Sequence, residues 1–410
     1  MIAMNNARKS TRRLQSVLCL DDFEAAARRH LPRPLFGYIA GAAETNASLR
    51  LNERSYGRYA FVPKVLVDVS TRSQSVTLFG ETYASPIGIA PMGLSALTSY
   101  RGDIVLAQAA DEAGVPMIMS GSSLIPLEEV AQASSRAWFQ AYLPGQLAQI
   151  KALIARVARA GFKTLVITVD TPAQANRENN VRTGFSTPLR PTLRLAWDGL
   201  SRPSWLLGTF ARTLIRHGMP HFENNYATRG APILSASVVR DFSDRGHFTW
   251  EHLKLIRSMW QGPLVIKGVL GRADAAMACR IGVDGIIVSN HGGRQLDGSV
   301  APLLVLQQIV DAAGTRPVMI DSGVRRGSDV LKALALGARL AFVGRPFAYA
   351  AAVAGKAGVA HGITLLKEEV SRNMAMLGIC GLNEMTMDRL APLDRQAASI
   401  DNIATDERAA

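Results

Sequence analysis

The stretch PVMIDSGVRRGSDVLKALALGARLAFVGRP, residues 317–346, alternates between two kinds of segment. PVMID (317–321) and LAFVG (340–344) are short, nearly continuous apolar runs, which is typical of parallel strands buried on both faces. Between them, GSDVLKALALGA (327–338) carries apolar residues at i, i+3 and i+4 and closes on a glycine, the pattern of a helix with a glycine stop. The stretch therefore predicts a strand, a helix and a second strand of one parallel sheet.

The same alternation extends over residues 85–344, where segments such as QLAQIKALIARVARAG (146–161) have the helical spacing. Eight repeats favour an α/β fold closed into a (β/α)8 TIM barrel, and an open doubly wound sheet is the alternative. The eight strand-like runs are PIGIAP (86–91), VPMIMS (115–120), AWFQAYL (137–143), TLVITVD (164–170), LVIKG (264–268), GIIVSN (285–290), PVMID (317–321) and LAFVG (340–344).

The regular spacing breaks once, after the fourth strand, where about ninety residues separate Asp170 from Leu264. A connection of this length is usually a lid or an interaction segment, so we predict a long insertion over 172–248. Ahead of the barrel, residues 21–44 form two helical stretches around a proline-marked turn. We predict an N-terminal helical extension within a barrel domain of residues 21–390, a flexible basic tail over 1–20 and a C-terminal tail over 391–410.

The composition limits the class of protein. The 410 residues are 48% hydrophobic and contain three widely separated cysteines with no metal-ligand spacing, which predicts reduced thiols, no metal and a cytoplasmic setting. No run approaches the ~20 apolar residues of a spanning helix, so the protein is expected to be soluble or peripheral. A net charge of +13 suits nucleic acid, an anionic membrane or an anionic substrate. Because no nucleic-acid-binding motif occurs, we expect no nucleic-acid partner.

Polar residues stand at or just after the end of every predicted strand, where the chemistry of such barrels is located. A single polar residue there would only cap a strand, but all eight strands have one, which favours a functional site. These residues are Gly93, Ser120, Gln140, Tyr142, Thr168, Asp170, Lys267, Asn290, His291, Asp321, Gly344 and Arg345.

The segment SNHGGRQLDG (289–298) is the richest of these strand ends. Its two glycines let the backbone approach a ligand closely, and the guanidinium of Arg294 suits a carboxylate. A lone histidine is more often structural, but His291 in this setting is a candidate catalytic group. After the last two strands, Arg325 and Arg345 are candidates for a phosphate site, against the alternative that they are surface charges.

These motifs resemble the FMN-dependent 2-hydroxy acid dehydrogenases and oxidases, which include glycolate oxidase, lactate dehydrogenase and (S)-mandelate dehydrogenase types. The resemblance spans residues 21–390 and is carried by SNHGGRQLDG, DSGVRRGSDVLKALALGA (321–338) and VIKG (265–268). RHGMP (216–220) within the insertion looks most like the mandelate and membrane-associated lactate dehydrogenase branch. The resemblance implies FMN, oxidation of an L-2-hydroxy acid to the 2-oxo acid, a quinone-type acceptor and a homo-oligomer, with a tetramer expected.

The resemblance also implies roles for individual residues. His291 would be the base, Asp170 its partner, and Tyr142 a hydrogen-bond partner of the substrate hydroxyl. Tyr38, Arg177 and Arg294 would bind the substrate carboxylate. The residues implied for FMN are Pro91, Met92 and Gly93 beside its N5, Ser120, Gln140, Thr168, Lys267 and Ser289 around the ring, and Asp321, Gly323, Arg325, Gly344 and Arg345 at the ribityl phosphate.

Two positions differ from glycolate oxidases, which commonly have Ala where this chain has Gly93 and Trp where it has Ser122. The glycine favours the dehydrogenase branch, and the small serine favours a substrate with a methyl or aryl side chain. Residues 189–220 mix large apolar side chains with arginines, which suits an interfacial segment on an anionic membrane, such as the inner face of the cytoplasmic membrane. The alternative for this segment is a lid. The alternatives for the function are an oxidase that uses O2, an FMN enzyme acting on a modified peptide, and a barrel that has lost its chemistry.

Overall fold

The computed structural model describes residues 14–186, 192–235 and 246–393. Eight parallel strands form a closed barrel in which each strand pairs with its neighbours along the chain. The last strand pairs with the first through Ala341 and Ile87, which confirms the barrel and excludes the open sheet. The strands are β1 Ile87–Ile89, β2 Met117–Ser120, β3 Ala137–Ala141, β4 Leu165–Thr168, β5 Leu264–Val269, β6 Gly285–Val288, β7 Val318–Ile320 and β8 Leu340–Val343.

The core has two layers because alternate residues of each strand face opposite sides. On β2, Ile118 belongs to the cluster that fills the barrel, whereas Met117 and Met119 pack against the surrounding helices. A short hairpin, Val76–Leu78 with Glu81–Tyr83, contributes Leu78 and Tyr83 to the inner cluster. Both faces of the strands are therefore buried, as their continuous apolar runs predict.

Helices surround the barrel between its strands. Glycines with positive φ follow several of them, among them Gly161 at φ +89°, Gly282 at φ +94° and Gly337 at φ +99°, in agreement with the predicted glycine stops. The surrounding helices are Ser95–Thr98, Gly102–Glu112, Leu127–Ala133, Leu147–Arg159, Trp250–Met259, Arg272–Ile281, Pro302–Ala313, Gly327–Ala335 and Arg345–Met376, and the 3-10 turns are Tyr56–Arg58, His291–Gly293, Leu382–Glu384 and Met387–Arg389.

The N-terminal extension contains three helices, Asp22–His30, Arg33–Ala40 and Ala47–Ser55. Val17 and Leu20 are buried in the core, so the packed chain begins earlier than the predicted boundary at residue 20. At the other end, Leu390–Pro392 pairs with Tyr59–Phe61, so these residues belong to a strand and not to the predicted tail. The rest of the predicted tails, residues 1–13 and 394–410, lies outside the described residues.

The insertion between β4 and β5 is folded over its described part. Trp205 anchors it by donating a hydrogen bond from Nε1 to the Leu97 carbonyl at 2.8 Å. None of the helices in the described ranges is long and apolar enough to cross a membrane. Residues 187–191 and 236–245 of the predicted segment lie outside the description. The helices of the insertion are Glu178–Thr183, Leu193–Leu200, Pro203–Trp205, the π-helix Leu206–Ala211 and Arg212–His217.

Candidate active site at the C-terminal ends of the strands

A cavity of about 490 Å³ opens at the C-terminal ends of the barrel strands. Six of the predicted residues do not line it and belong to the shell of side chains behind its surface, namely Ser120, Gln140, Thr168, Asp170, Ser289 and Asn290. The predicted residues that line the cavity are Tyr38, Pro91, Met92, Gly93, Tyr142, Arg177, Lys267, His291, Arg294, Asp321, Gly323, Arg325, Gly344 and Arg345.

His291 is hydrogen-bonded on both ring nitrogens. Its Nδ1 lies 2.9 Å from Asp170 Oδ1 and its Nε2 lies 3.3 Å from the Tyr142 hydroxyl. Burial lowers the pKa of His291, and Asp170 offsets part of that shift. Burial by itself would raise the pKa of Asp170, but the interactions with His291 outweigh it and hold that pKa below its usual value. The pair therefore combines a carboxylate with an imidazole that can accept a proton at neutral pH.

The backbone that presents His291 is strained. His291 has φ +58°, a left-handed backbone conformation that residues other than glycine rarely adopt, and Gly292 follows at φ +66°. Two hydroxyls hold this turn, since the His291 amide donates to Ser289 Oγ at 3.0 Å and the Gly292 amide donates to Ser322 Oγ at 3.0 Å. A glycine suits position 292 because other residues rarely adopt its positive φ, and an added Cβ would also lie 2.8 Å from Arg345 Nη1.

Two arginines lie side by side next to His291. Arg294 donates from Nη1 to the carbonyls of Tyr38 and Gly41 at 2.7 and 2.8 Å. Arg177 donates to the Arg294 carbonyl at 3.1 Å and to Gln295 Oε1 at 2.7 Å. Burial, and then the charge of Arg177, lower the pKa of Arg294 to about 9. Neither guanidinium forms an ion pair with a carboxylate in the described part of the chain, so these two partly buried cations are suited to an anionic ligand.

Lys267 provides a third buried cation, on β5. Its Nζ lies 3.0 Å from Asp321 Oδ2 and 2.8 Å from Ser289 Oγ. Burial alone would lower the pKa of Lys267, but Asp321 and Asp170 outweigh burial and raise it. The ammonium therefore stays charged at the floor of the cavity.

The wall behind the cavity contains polar atoms without partners. Gln140 Oε1 accepts from Ser120 Oγ at 3.3 Å, but Gln140 Nε2 and Thr168 Oγ1 are buried and have no hydrogen-bond partner among the described residues. A buried donor without a partner is costly, and such atoms are often completed by a ligand. This wall therefore has hydrogen-bonding atoms available for a polar ligand.

Arg325 and Arg345 lie near each other but make different contacts. Arg325 pairs with Glu53 at 2.6 Å, whereas Arg345 donates to the carbonyls of Ile39, Gly41 and Gly292 at 2.9–3.0 Å. Burial, followed by the charge of Arg325, lowers the pKa of Arg345 to about 10. Arg345 also opens the helical segment Arg345–Met376, which is kinked at Ala354 and Gly355, and the N-terminus of its first helix favours an anion.

Several site residues were missed by the sequence analysis. Gln295 and Ser322 stand beside predicted residues, and their polar side chains next to the two strand ends were the available signal. Phe185, whose ring centroid lies 4.6 Å from that of Tyr38, comes from the insertion and had no signal in the sequence.

The barrel and this arrangement of polar groups are compatible with a flavin-dependent oxidoreductase, and comparison with known proteins shows that class. The family model described as FMN-dependent dehydrogenase matches residues 27–392, and the chain belongs to this family. The protein is therefore an FMN-dependent enzyme, and the unpartnered atoms of Gln140 and Thr168, together with the charged Lys267, are consistent with a flavin ring.

Characterised relatives cover nearly the whole chain. The (S)-mandelate dehydrogenase of Pseudomonas putida is 35% identical over 378 residues, 92% of this chain and 94% of that protein. An L-lactate dehydrogenase of Yersinia pestis is 38% identical over 381 residues, 91% of this chain and 98% of that protein. The crystal structure of the monotopic membrane protein (S)-mandelate dehydrogenase matches with a TM-score of 0.83 at 33% identity, over 92% of this chain and 100% of that one.

Proposed function

We propose that the protein oxidises an L-2-hydroxy acid with a methyl or aryl side chain to the corresponding 2-oxo acid. The observation that carries this proposal is the His291–Asp170 pair, at 2.9 Å, beside the two partly buried cations Arg177 and Arg294. A 2-hydroxy acid needs cations for its carboxylate and a base for its proton, and this cavity offers both. FMN, when bound, accepts the two electrons that the substrate loses.

The substrate carboxylate binds between Arg177 and Arg294 in this proposal. A planar guanidinium can donate two parallel hydrogen bonds to a carboxylate, and burial strengthens that contact. Tyr38 lines the same side of the cavity and adds a hydroxyl donor. Tyr142, 3.3 Å from His291 Nε2, bonds the substrate hydroxyl and fixes the substrate beside the base.

His291 accepts one substrate proton at Nε2, because Nδ1 is committed to Asp170. The resulting imidazolium is buried and close to the positive charges of Lys267 and Arg177, so it needs the Asp170 carboxylate as its counterion. The pair therefore lowers the cost of proton transfer in a partly buried site.

The cofactor would occupy the deeper part of the cavity. Lys267 supplies a positive charge where the ring becomes negative on reduction, and the helix N-terminus at Arg345 supplies a site for the phosphate. The residues proposed to hold FMN are Pro91, Met92 and Gly93, then Ser120, Gln140, Thr168, Lys267 and Ser289, and finally Asp321, Gly323, Arg325, Gly344 and Arg345.

The direct test is the absorbance spectrum of the purified protein during anaerobic addition of L-lactate and then (S)-mandelate. Bleaching of the flavin band by either acid supports the proposal, and a flavin that neither these nor other 2-hydroxy acids reduce refutes it. Peroxide formation in air, compared with reduction of a quinone analogue, distinguishes an oxidase from the dehydrogenase that we propose.

We expect Ser122→Trp to discriminate between small and aryl substrates. A Cβ added to Gly93 would lie 3.1 Å from Ser122 Cβ and 3.4 Å from the Tyr38 hydroxyl, so these three residues border one compact space. An indole there removes room for a phenyl ring, and kcat/KM for (S)-mandelate should fall about 100-fold, the upper range for a steric mismatch, while that for L-lactate falls much less. Ser122→Ala is the matched control and should keep both activities. Equal losses for both acids in the Trp variant would contradict this interpretation.

We also propose that the insertion rests on an anionic membrane surface, from which a quinone-type acceptor reaches the flavin. On the helix Leu193–Leu200, Leu193, Trp197 and Leu200 lie on one face and are 63–93% exposed. The following helices expose Leu207 and Ile215, and Arg194, Arg202, Arg212 and Arg216 lie in the same segment. Exposed apolar residues with basic neighbours are typical of interfacial helices, and the similar (S)-mandelate dehydrogenase is described as a monotopic membrane protein.

The double variant Trp197→Glu/Ile215→Glu should lose membrane binding. Replacing two side chains that enter the interface by acidic ones removes apolar burial and adds charge repulsion, so binding to phosphatidylglycerol vesicles should weaken at least roughly tenfold. Reduction of a soluble dye should be unchanged. The control is Val65→Glu, since Val65 is 76% exposed but outside the insertion. Sedimentation with vesicles at the wild-type level would rule out this surface.

A further inference from the structure

The helix Ala47–Ser55 of the N-terminal extension lies against the turn that carries His291. Asn52 on this helix and Asn290 after β6 are both buried, with exposed fractions of 1% and 4%. Their amides form two reciprocal hydrogen bonds, Asn52 Nδ2 to Asn290 Oδ1 at 2.8 Å and Asn290 Nδ2 to Asn52 Oδ1 at 2.7 Å. A buried amide pair of this kind fixes both side chains, because breaking it leaves several polar atoms without partners.

Asn290 directly precedes His291 and also closes the turn behind it. Its Oδ1 accepts from the Gly293 amide at 3.1 Å, and its Nδ2 donates to the Val300 carbonyl at 3.2 Å. The Asn290 side chain therefore holds both ends of the turn that contains His291, and Asn52 holds Asn290.

Close backbone contacts leave this helix little room to shift. A Cβ added to Gly293 would lie 2.6 Å from the Leu49 amide nitrogen, and one added to Gly323 would lie 2.5 Å from the Asn52 carbonyl oxygen. The carboxylate of Asp297 accepts from the Ser48 amide at 2.9 Å, which fastens the start of the helix. The left-handed backbone of His291 is thus supported from outside its own turn, as an unfavourable conformation has to be.

The anion-binding arginines have supports of their own. Arg294 is held by the carbonyls of Tyr38 and Gly41, and Arg177 by Gln295. Loss of the Asn52 side chain therefore removes one support of the His291 turn but leaves these contacts of the arginines in place.

We propose that Asn52 is a positioning residue for His291, acting through Asn290 on proton transfer and not on substrate or FMN binding. This inference rests on the proposed function, in which His291 is the base. It assigns part of the catalytic geometry to a helix that precedes the barrel and contributes no group to the reacting atoms.

The test is rapid-mixing measurement of flavin reduction by Asn52→Ala, with the substrate that reduces the wild type. We expect the limiting rate constant to fall at least tenfold, while the substrate dissociation constant stays within threefold and the FMN content is unchanged. Asn290→Ala should have a similar effect, and the double variant should be little worse than either single one. The control is Leu153→Ala, at a buried residue of the helix Leu147–Arg159, which should lower thermal stability without changing the rate constant. An unchanged limiting rate constant in Asn52→Ala, or a loss that Leu153→Ala reproduces, overturns the proposal.

A second readout separates this inference from the proposed function. The imidazole NMR signals of His291, assigned with His291→Gln, report its hydrogen bonds to Asp170 and Tyr142 and the charges of Lys267 and Arg177 without any substrate. Asn52→Ala should shift them and Leu153→Ala should not. Unshifted signals overturn the positioning role even if no 2-hydroxy acid reduces the flavin, and shifted signals support it in that case. Should Asn52→Ala fail to fold, Asn52→Ser, which is too short to span the amide pair, replaces it in both measurements.

Discussion

In the His291→Gln variant, the rate at which the substrate reduces the flavin should fall about 10²–10⁴-fold, the range typical of a lost general base. Glutamine can still donate a hydrogen bond towards Asp170, but its amide cannot accept a proton at neutral pH. FMN should stay bound, because the residues proposed to hold it are not changed. The measurement is anaerobic rapid mixing with L-lactate or (S)-mandelate, with the flavin absorbance as the check on cofactor content.

Near-normal reduction by the His291→Gln variant would remove His291 from the proposed mechanism. A colourless variant would give a different answer, namely that the turn at His291 supports the cofactor site. The amide contact of Gly292 with Ser322, next to Asp321, is the route by which this could occur.

Asp170→Asn should lower the limiting rate of flavin reduction about 100-fold, at the lower end of what the loss of acid–base catalysis costs, and should also change its pH dependence. Because burial lowers the pKa of His291 from its ordinary value near 6.5, the wild-type rate should rise with pH below that value, as the imidazole loses its proton, and then level off. Asp170 opposes this shift, so removing its charge should lower the pKa of His291 further. The rise should therefore move to lower pH while the plateau falls.

A pH profile of limiting rates for wild type and Asp170→Asn tests both parts. Lys267 and Arg177, the other charged groups that act on His291, are unchanged in the variant and disfavour the imidazolium in both proteins. A rise that moves to higher pH in the variant would mean that Asp170 does not stabilise the protonated form.

The fold could be predicted from the sequence because its signal is local. A run such as LVIKG at 264–268 is apolar enough for a strand buried on both faces, and eight such runs leave few alternatives to a barrel. The same reasoning predicted which end of each strand faces the cavity, because the polar residues cluster at the C-terminal ends of the apolar runs. Boundaries were less well predicted: the burial of Val17 and the pairing of Leu390–Pro392 depend on partners distant in the chain.

Contacts within the site were harder to predict for the same reason. Arg345 was expected at a phosphate, and its sequence position gave no hint that it also binds the Ile39 and Gly41 carbonyls. Arg325 likewise pairs with Glu53, and Asn52 with Asn290. Each contact joins the N-terminal extension to a loop that follows β6, β7 or β8, and no periodic pattern records such a pairing.

The hydrogen bond between Arg345 and the Ile39 carbonyl spans 306 positions of the chain. The carbonyl at the end of this N-terminal helix is therefore bonded by a residue that is far away in sequence. During synthesis, the carbonyls of the N-terminal extension can bond to both Arg294 and Arg345 only after the eighth strand has been made and the barrel has closed. Contacts of such long separation form slowly, because closing a large loop costs chain entropy before any contact forms. The segment that is synthesised first therefore makes these contacts, including those of the Tyr38 and Gly41 carbonyls with Arg294, only with residues that are synthesised much later.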